Sequence, residues 1–274
     1  MQKLAIGMFD SGVGGMTVLK EVKALLPHEH IIYFGDTARV PYGNKSPQMV
    51  TKYALESALF LLTKGIKLLI IACNTSSAFA LRILQKKMPI PVIGVIEPGA
   101  REAVRNTQSR KVAVIGTRTT VKSMAYDRSI RKLDPGIEVF SRACPLFVPI
   151  VEEGLEHDQI ARLTAGKYLG DLRGTGIVVI VMGCTHYPVL EDVIRQTLGS
   201  GVTIVHSGKE TAKEAWTILK EKDRFNRRGR GKCEYFVTDT PESFHDIGGR
   251  ILGENLAHVR SLKSLDYQDL LFSS

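Results

Sequence analysis

The sequence is poor in cysteine, tryptophan and negative charge. Its four cysteines, Cys73, Cys144, Cys184 and Cys233, are too few for a disulfide framework in 274 residues, and none stands in a C-x-x-C pair. That excludes the usual zinc-ribbon and thioredoxin patterns and leaves individually acting thiols. No apolar run approaches the roughly 20 residues that cross a bilayer, and the first motif starts almost at Met1. The expectation is a cytoplasmic protein with no membrane partner. The glycines of LAIGMFDSGVGG fall short of a dinucleotide fingerprint, because after Gly12 and Gly14 the pattern G-x-G-x-x-G requires glycine where the chain has Thr17. Nicotinamide and flavin are excluded there. With 28 acidic against 37 basic residues the net charge is +9, which raises the question of a nucleic-acid partner. The densest basic stretch, Lys220 to Lys232, holds few aromatics and falls between a helix and a strand, so it reads as a solvated loop.

Two segments share one construction: an apolar run, then a cysteine, then small polar residues. They are LLIIACNTSS (Leu68 to Ser77) and VVIVMGCTHYP (Val178 to Pro188). Each run reads as a buried parallel strand, which puts its cysteine at the carboxyl end, where open α/β sheets bind ligands. A free cysteine alone is usually a small buried hydrophobe. Here the residues that follow are too polar for a core strand running on, and two thiols in equivalent places suit a reaction needing an acid and a base on opposite faces of one carbon. Cys144 and Cys233 lack that context and read as structural.

At 44% hydrophobic content the chain can bury a substantial core. Strands ending near Asp10 and Asp36 alternate with helices over about 16–26 and 48–64, which predicts an α/β fold with a mostly parallel sheet flanked by helices. Gly12, Gly14 and Gly15 read as a turn that lets backbone approach a small anion, or as a simple tight turn. The pattern restarts at KVAVIGTRTTVKS (Lys111 to Ser123), and the spacing from Asp10 to Cys73 is close to that from Thr117 to Cys184. Two pseudo-symmetric domains are therefore expected, 1–96 with 208–274 and 97–207, and the active site in the cleft between them. Ser207 and Glu210 fit a capping box opening a helix to Lys222, and CEYFVT with a helix over about 242–260 completes the first domain.

Six segments, FDSGVGGMTV, YFGDTARVPYG, ACNTSSA, GVIEPG, CPLFVPIVEEG and GCTHYP, occur in order between Phe9 and Pro188. With them the chain resembles the glutamate racemases, of the aspartate/glutamate racemase family. The resemblance implies a cofactor-independent, metal-free isomerase that interconverts L- and D-glutamate and supplies the D-isomer for peptidoglycan. By the same resemblance Cys73 removes the α-proton of D-glutamate and Cys184 that of L-glutamate, with Asp10, Glu152 and His186 assisting. Ser11, Pro41, Tyr42, Gly43, Asn74, Thr75, Thr117, Thr120 and Thr185, with Asp10 and His186, match positions that hold the substrate. Homodimers are common among such proteins. The chain departs from the family's pattern at VHSG, where His206 stands in place of an aspartate. A racemase of aspartate, a regulatory protein with a basic surface and a thiol redox enzyme are the competing readings, the last disfavoured by the missing C-x-x-C.

Overall fold

The apolar runs of the chain become strands buried on both faces. The computed structural model describes residues 4–227, 229–256 and 258–262. In it β1 (Ala5–Asp10), β2 (Ile31–Gly35), β3 (Ile66–Ile71) and β4 (Val92–Gly94) have every residue buried. They alternate with α1 (Met16–Leu25), α2 (Pro47–Thr63), α3 (Asn74–Lys87) and α4 (Ile96–Asn106). Next come β5 (Lys111–Gly116), α5 (Arg118–Lys122), α6 (Ala125–Leu133), β6 (Glu138–Ala143), α7 (Phe147–Glu152), α8 (Gln159–Leu169), β7 (Val179–Gly183), α9 (Glu191–Leu198) and β8 (Thr203–His206). The chain closes with α10 (Ser207–Glu221), β9 (Cys233–Val237), α11 (Pro241–Leu252) and β10 (Val259–Ser261).

Two sheets result, ordered β10-β9-β2-β1-β3-β4 and β6-β5-β7-β8, and every pairing is parallel. Successive side chains of a strand point to opposite faces, so each sheet needs a core on both sides. Ile6, Met8, Leu68 and Ile70 pack with Val18, Leu19, Ala215 and Ile251 of α1, α10 and α11, while Phe9, Leu69 and Ile71 pack with Ala58, Leu61 and Leu84 of α2 and α3. In the second sheet Ala113, Ile115, Ile180 and Met182 take one face and Val112, Val114, Val179 and Val181 the other. Each buried Val, Leu, Ile, Met or Phe side chain contributes about 1.5–3 kcal/mol.

The repeat read from spacing is present, shifted by one residue. The strand order β2-β1-β3-β4 of the first sheet recurs as β6-β5-β7-β8 in the second. Asp36 N donates to Asp10 O just as Cys144 N donates to Gly116 O, and Phe9 pairs with Ile71 as Ile115 pairs with Met182. Cys73 and Cys184 are thus equivalent, but the partner of Thr117 in the other half is Ser11 rather than Asp10. In both sheets the order reverses beside the cysteine strand, the place where such sheets open a crevice.

Two local expectations are corrected, and one strand was not foreseen. The last long helix stops at Leu252, because Gly253 turns the chain left-handed at φ +73°, and a short edge strand follows. The capping box at Ser207 does not form: His206 takes the cap position, the Ser207 hydroxyl donates to Met182 O, and Glu210 pairs with Lys213. The half-exposed edge strand β6, sequence EVFSRA, carries no apolar run and no signal of its own.

One charged pair sits where only apolar groups were expected. Lys67 of β3 places its Nζ 2.6 Å from Glu29 Oε2, with both side chains at most 1% exposed, and donates to Arg224 O at 2.7 Å. Glu29 also accepts from Asn226 N, and Gly231 N donates to Pro27 O, so the start and end of the basic stretch are pinned to the body. Its Arg228 lies outside the described residues. Removing one partner of a buried pair strands the other charge, so Lys67→Met is expected to cost about 3–5 kcal/mol in urea unfolding, and Lys67→Met with Glu29→Leu to recover part of it.

Candidate active site

The carboxyl ends of β1 and β3 meet those of β5 and β7 across a cavity of about 400 Å³, the size of a small-molecule site, and both Cys73 and Cys184 line it. Their surroundings differ. Cys73 caps the start of α3, and its sulfur accepts from Ser76 N at 3.4 Å. Burial and the neighbouring Asp10 carboxylate nevertheless push the thiol up to about 12. It stays protonated. Asp10 is wholly buried; burial raises its carboxyl above the usual range, against the pull of His186 and of the Gly12 and Gly15 amides. Those amides donate to its Oδ2 at 3.1 Å each, which corrects the reading of the glycine turn. The anion held there is the chain's own aspartate.

On the other side three groups stand in a row. Cys184 Sγ is 3.9 Å from His186 Nδ1, long even for sulfur, and His186 Nε2 is 3.0 Å from Glu152 Oε1 at the end of α7. Burial alone would lower the imidazole, but its contacts with Cys184 and Glu152 outweigh that and hold it up at about 10. An imidazolium stands next to this thiol, whereas a carboxylate stands next to the other. The ring also requires Gly14: a Cβ there would come within 2.4 Å of His186 and 2.5 Å of the Thr185 hydroxyl.

The walls are joined by hydroxyls. Thr75 Oγ1 lies 3.1 Å from Thr117 Oγ1 and 2.9 Å from Thr120 Oγ1; Thr119 donates to Gly43 O at 2.8 Å and Thr17 to Thr185 O at 2.7 Å. Tyr126 donates to Asn74 Oδ1 at 2.7 Å, leaving Asn74 Nδ2 buried without a partner. Of the residues singled out in the sequence, Ser11, Pro41, Tyr42, Gly43, Asn74, Thr75, Thr117, Glu152, Thr185 and His186 line the cavity with the thiols. Asp10 and Thr120 stand behind the wall. Cys144 is buried at the foot of the second sheet's site, its carbonyl accepting from Tyr187, and burial pushes its thiol up to about 12. His206 Nε2 lies 2.8 Å from Glu191 Oε2. Among the described residues no group of three or more His, Cys, Asp or Glu is placed to hold a metal ion.

Sequence reasoning missed Asp36. This buried carboxylate accepts from Arg39 Nε at 2.7 Å, from Thr238 and from the Tyr42 hydroxyl, and so fixes the loop that carries Pro41 to Gly43. The available signal was its place at the end of β2, matching Asp10 at the end of β1. The apolar wall from Pro145, Leu146, Val148 and Pro149, and Arg118 at the rim, were also passed over. In CPLFVPIVEEG only Cys144 and Glu152 are singled out by the sequence reading.

This fold and cleft define a class: a family model described as Asp/Glu/Hydantoin racemase matches residues 16–215. Among individual relatives, glutamate racemase of Geobacter metallireducens is 53% identical over 256 residues, 93% of this chain and 95% of that one. A glutamate racemase isoform of Bacillus anthracis superposes with a TM-score of 0.93 at 40% identity, covering 96% of this chain and 99% of the other. Glutamate racemase of Francisella tularensis, solved in complex with D-glutamate, gives 0.91 at 38% identity, covering 96% and 98%. The chain belongs to the glutamate racemase family.

Gly14→Ala would drive a methyl group into His186 and Thr185. Turnover measured with glutamate is expected to fall about 10²-fold, since a misplacement of about 1 Å within an active site costs that much, while circular dichroism retains the α/β signature.

Proposed function

We propose that the protein interconverts L- and D-glutamate, without metal or added cofactor, by passing protons between its two cysteines and the substrate α-carbon. The unequal charge around the two thiols carries this reading. Removing an α-proton next to a carboxylate that is already negative needs a base and an acid poised together and a site that takes up extra charge. His186, held protonated by its contacts with Cys184 and Glu152, is placed to stabilise negative charge on the Cys184 sulfur; burial and Asp10 keep Cys73 a thiol. With L-glutamate bound, Cys184 Sγ takes the α-proton, and Cys73 delivers its own proton to the opposite face. Cys73 is left as thiolate and Cys184 as thiol, ready for the reverse reaction from D-glutamate. Asn74 Nδ2, the first amides of α3 and the Thr185 hydroxyl supply donors for the α-carboxylate as charge builds on it.

The substrate assignment draws on the relatives, named as glutamate racemases, and on a cavity of small-molecule size. Supply of D-glutamate for peptidoglycan follows as the biological role, and two thiols that must stay reduced fit a cytoplasmic setting. Among the described residues no helix is long and apolar enough to cross a membrane. The two pseudo-symmetric units are taken to divide as 1–96 with 208–274 and 97–207.

Chiral analysis tests the activity: D-glutamate should racemise fully in the presence of chelator and much faster than D-aspartate, and equal turnover of aspartate or loss on metal removal overturns the reading. In heavy water the first-turnover product should carry deuterium while unreacted substrate keeps its protium. Cys73→Ala and Cys184→Ala should each abolish racemisation in both directions, because each direction uses one thiol as base and the other as acid.

The charge asymmetry also fixes a pH dependence. Glu152 raises His186, so Glu152→Gln lets the imidazolium lose its proton at lower pH, and the alkaline limb of kcat/KM should move down in pH relative to the parent protein. Comparing the two proteins cancels the titration of the substrate amine. An unmoved limb removes Glu152 from the mechanism.

A further inference from the structure

We propose that Arg250 is a positioning residue for this site, a latch from α11 that fixes the turn from which Glu152 reaches His186. The inference rests on the roles proposed above for Glu152, His186 and Cys184. Helix α11 belongs to the body of the first sheet, where Phe244, Ile251 and Leu252 pack into the core with Met8 and Tyr33. Glu152 ends α7, whose Phe147, Ile150 and Val151 pack into the core of the second sheet. Arg250 bridges the two. Its Nη2 donates to the carbonyls of Val151 and Glu152, the latter at 3.2 Å, and its Nε lies 3.7 Å from Glu156 Oε1.

The turn is shaped around this guanidinium. Gly154 takes a left-handed conformation at φ +72°, and a Cβ there would meet Arg250 Nη1 at 2.8 Å. The last carbonyls of a helix lack intrahelical donors and attract a cation, and a planar fork can serve two of them where an ammonium cannot. As a stabilising contact this is weak, because the Arg250 side chain is 40% exposed and solvent screens its charge. Its effect falls on geometry. The backbone of Glu152 sets where its carboxylate meets His186 Nε2, and a helper group displaced by a fraction of an ångström loses its grip on the ring.

The test compares R250A, R250K, E152Q and the double variant R250A/E152Q in kcat, KM and pH profile with glutamate. If Arg250 acts through Glu152, R250A lowers kcat/KM by up to about tenfold and never by more than E152Q does. Its alkaline limb moves down in pH, as in E152Q, and R250K recovers part of the rate. In the E152Q background R250A adds no further loss. Effects that multiply in the double variant, or an R250A protein with the parent rate and pH limb, overturn the latch. Should R250A be insoluble, R250K carries the same comparison. An E152Q protein with parent rate and limb would remove the role of Glu152 and the latch together, whereas an impaired E152Q beside an unaffected R250A overturns the latch alone.

Discussion

Desolvation governs this cleft. Cys73, Cys184, His186 and Asp10 are all buried, and a buried group keeps a charge only where a partner stabilises it. The neighbours therefore determine which groups are ionised. His186 carries its proton because Cys184 and Glu152 flank it; Cys73 retains its own because it is buried and Asp10 is beside it, with only the Ser76 amide and the hydroxyls nearby opposing that. In water the two thiols would titrate alike. Buried in one cavity, they stand in opposite electrostatic surroundings, and the proton transfer proposed above rests on that difference.

The fold's contribution is placement. Parallel strands buried on both faces end together, so the residues just past their carboxyl ends fall on one rim. Two such rims face each other, and the contacts that join them are short and polar: threonine to threonine, Thr119 to a carbonyl of the opposite loop, Tyr126 to Asn74. The glycine turn after β1 contributes by having no side chain at Gly14, so that an imidazole from the other half can lie against its backbone. A serine or alanine would hold the halves apart.

Much of this was legible in the chain. Unbroken apolar runs gave the buried strands, and the polar residues after two of them marked the strand ends where the thiols sit. The near-equal spacing revealed the repeat, though a one-residue offset between Asp10 and Thr117 needed hydrogen bonds to correct it. What escaped notice had weak local signals. Strand β6 is an edge, half wet and polar, so it lacks periodic apolar residues. Arg250 acts through groups far away in sequence, and an arginine on a polar surface looks the same whether or not it holds a turn; Asp36 is buried among Arg39, Tyr42 and Thr238, and only the last is distant in sequence. The glycine turn misled because its amides serve an anion already in the chain.

The order of the first sheet has a consequence for synthesis on the ribosome. Strand β2 is flanked by β1 and by β9, and β9 is the product of the last part of the message, after the whole second sheet has been made. Until Cys233 to Val237 emerge, the nascent chain carries a bare apolar edge along Ile31 to Gly35, ready to pair with any other extended segment. The second sheet draws all four strands from one continuous stretch and can close as soon as β8 appears. Translation thus leaves the sheet that carries Cys73 incomplete for longer than the one that carries Cys184.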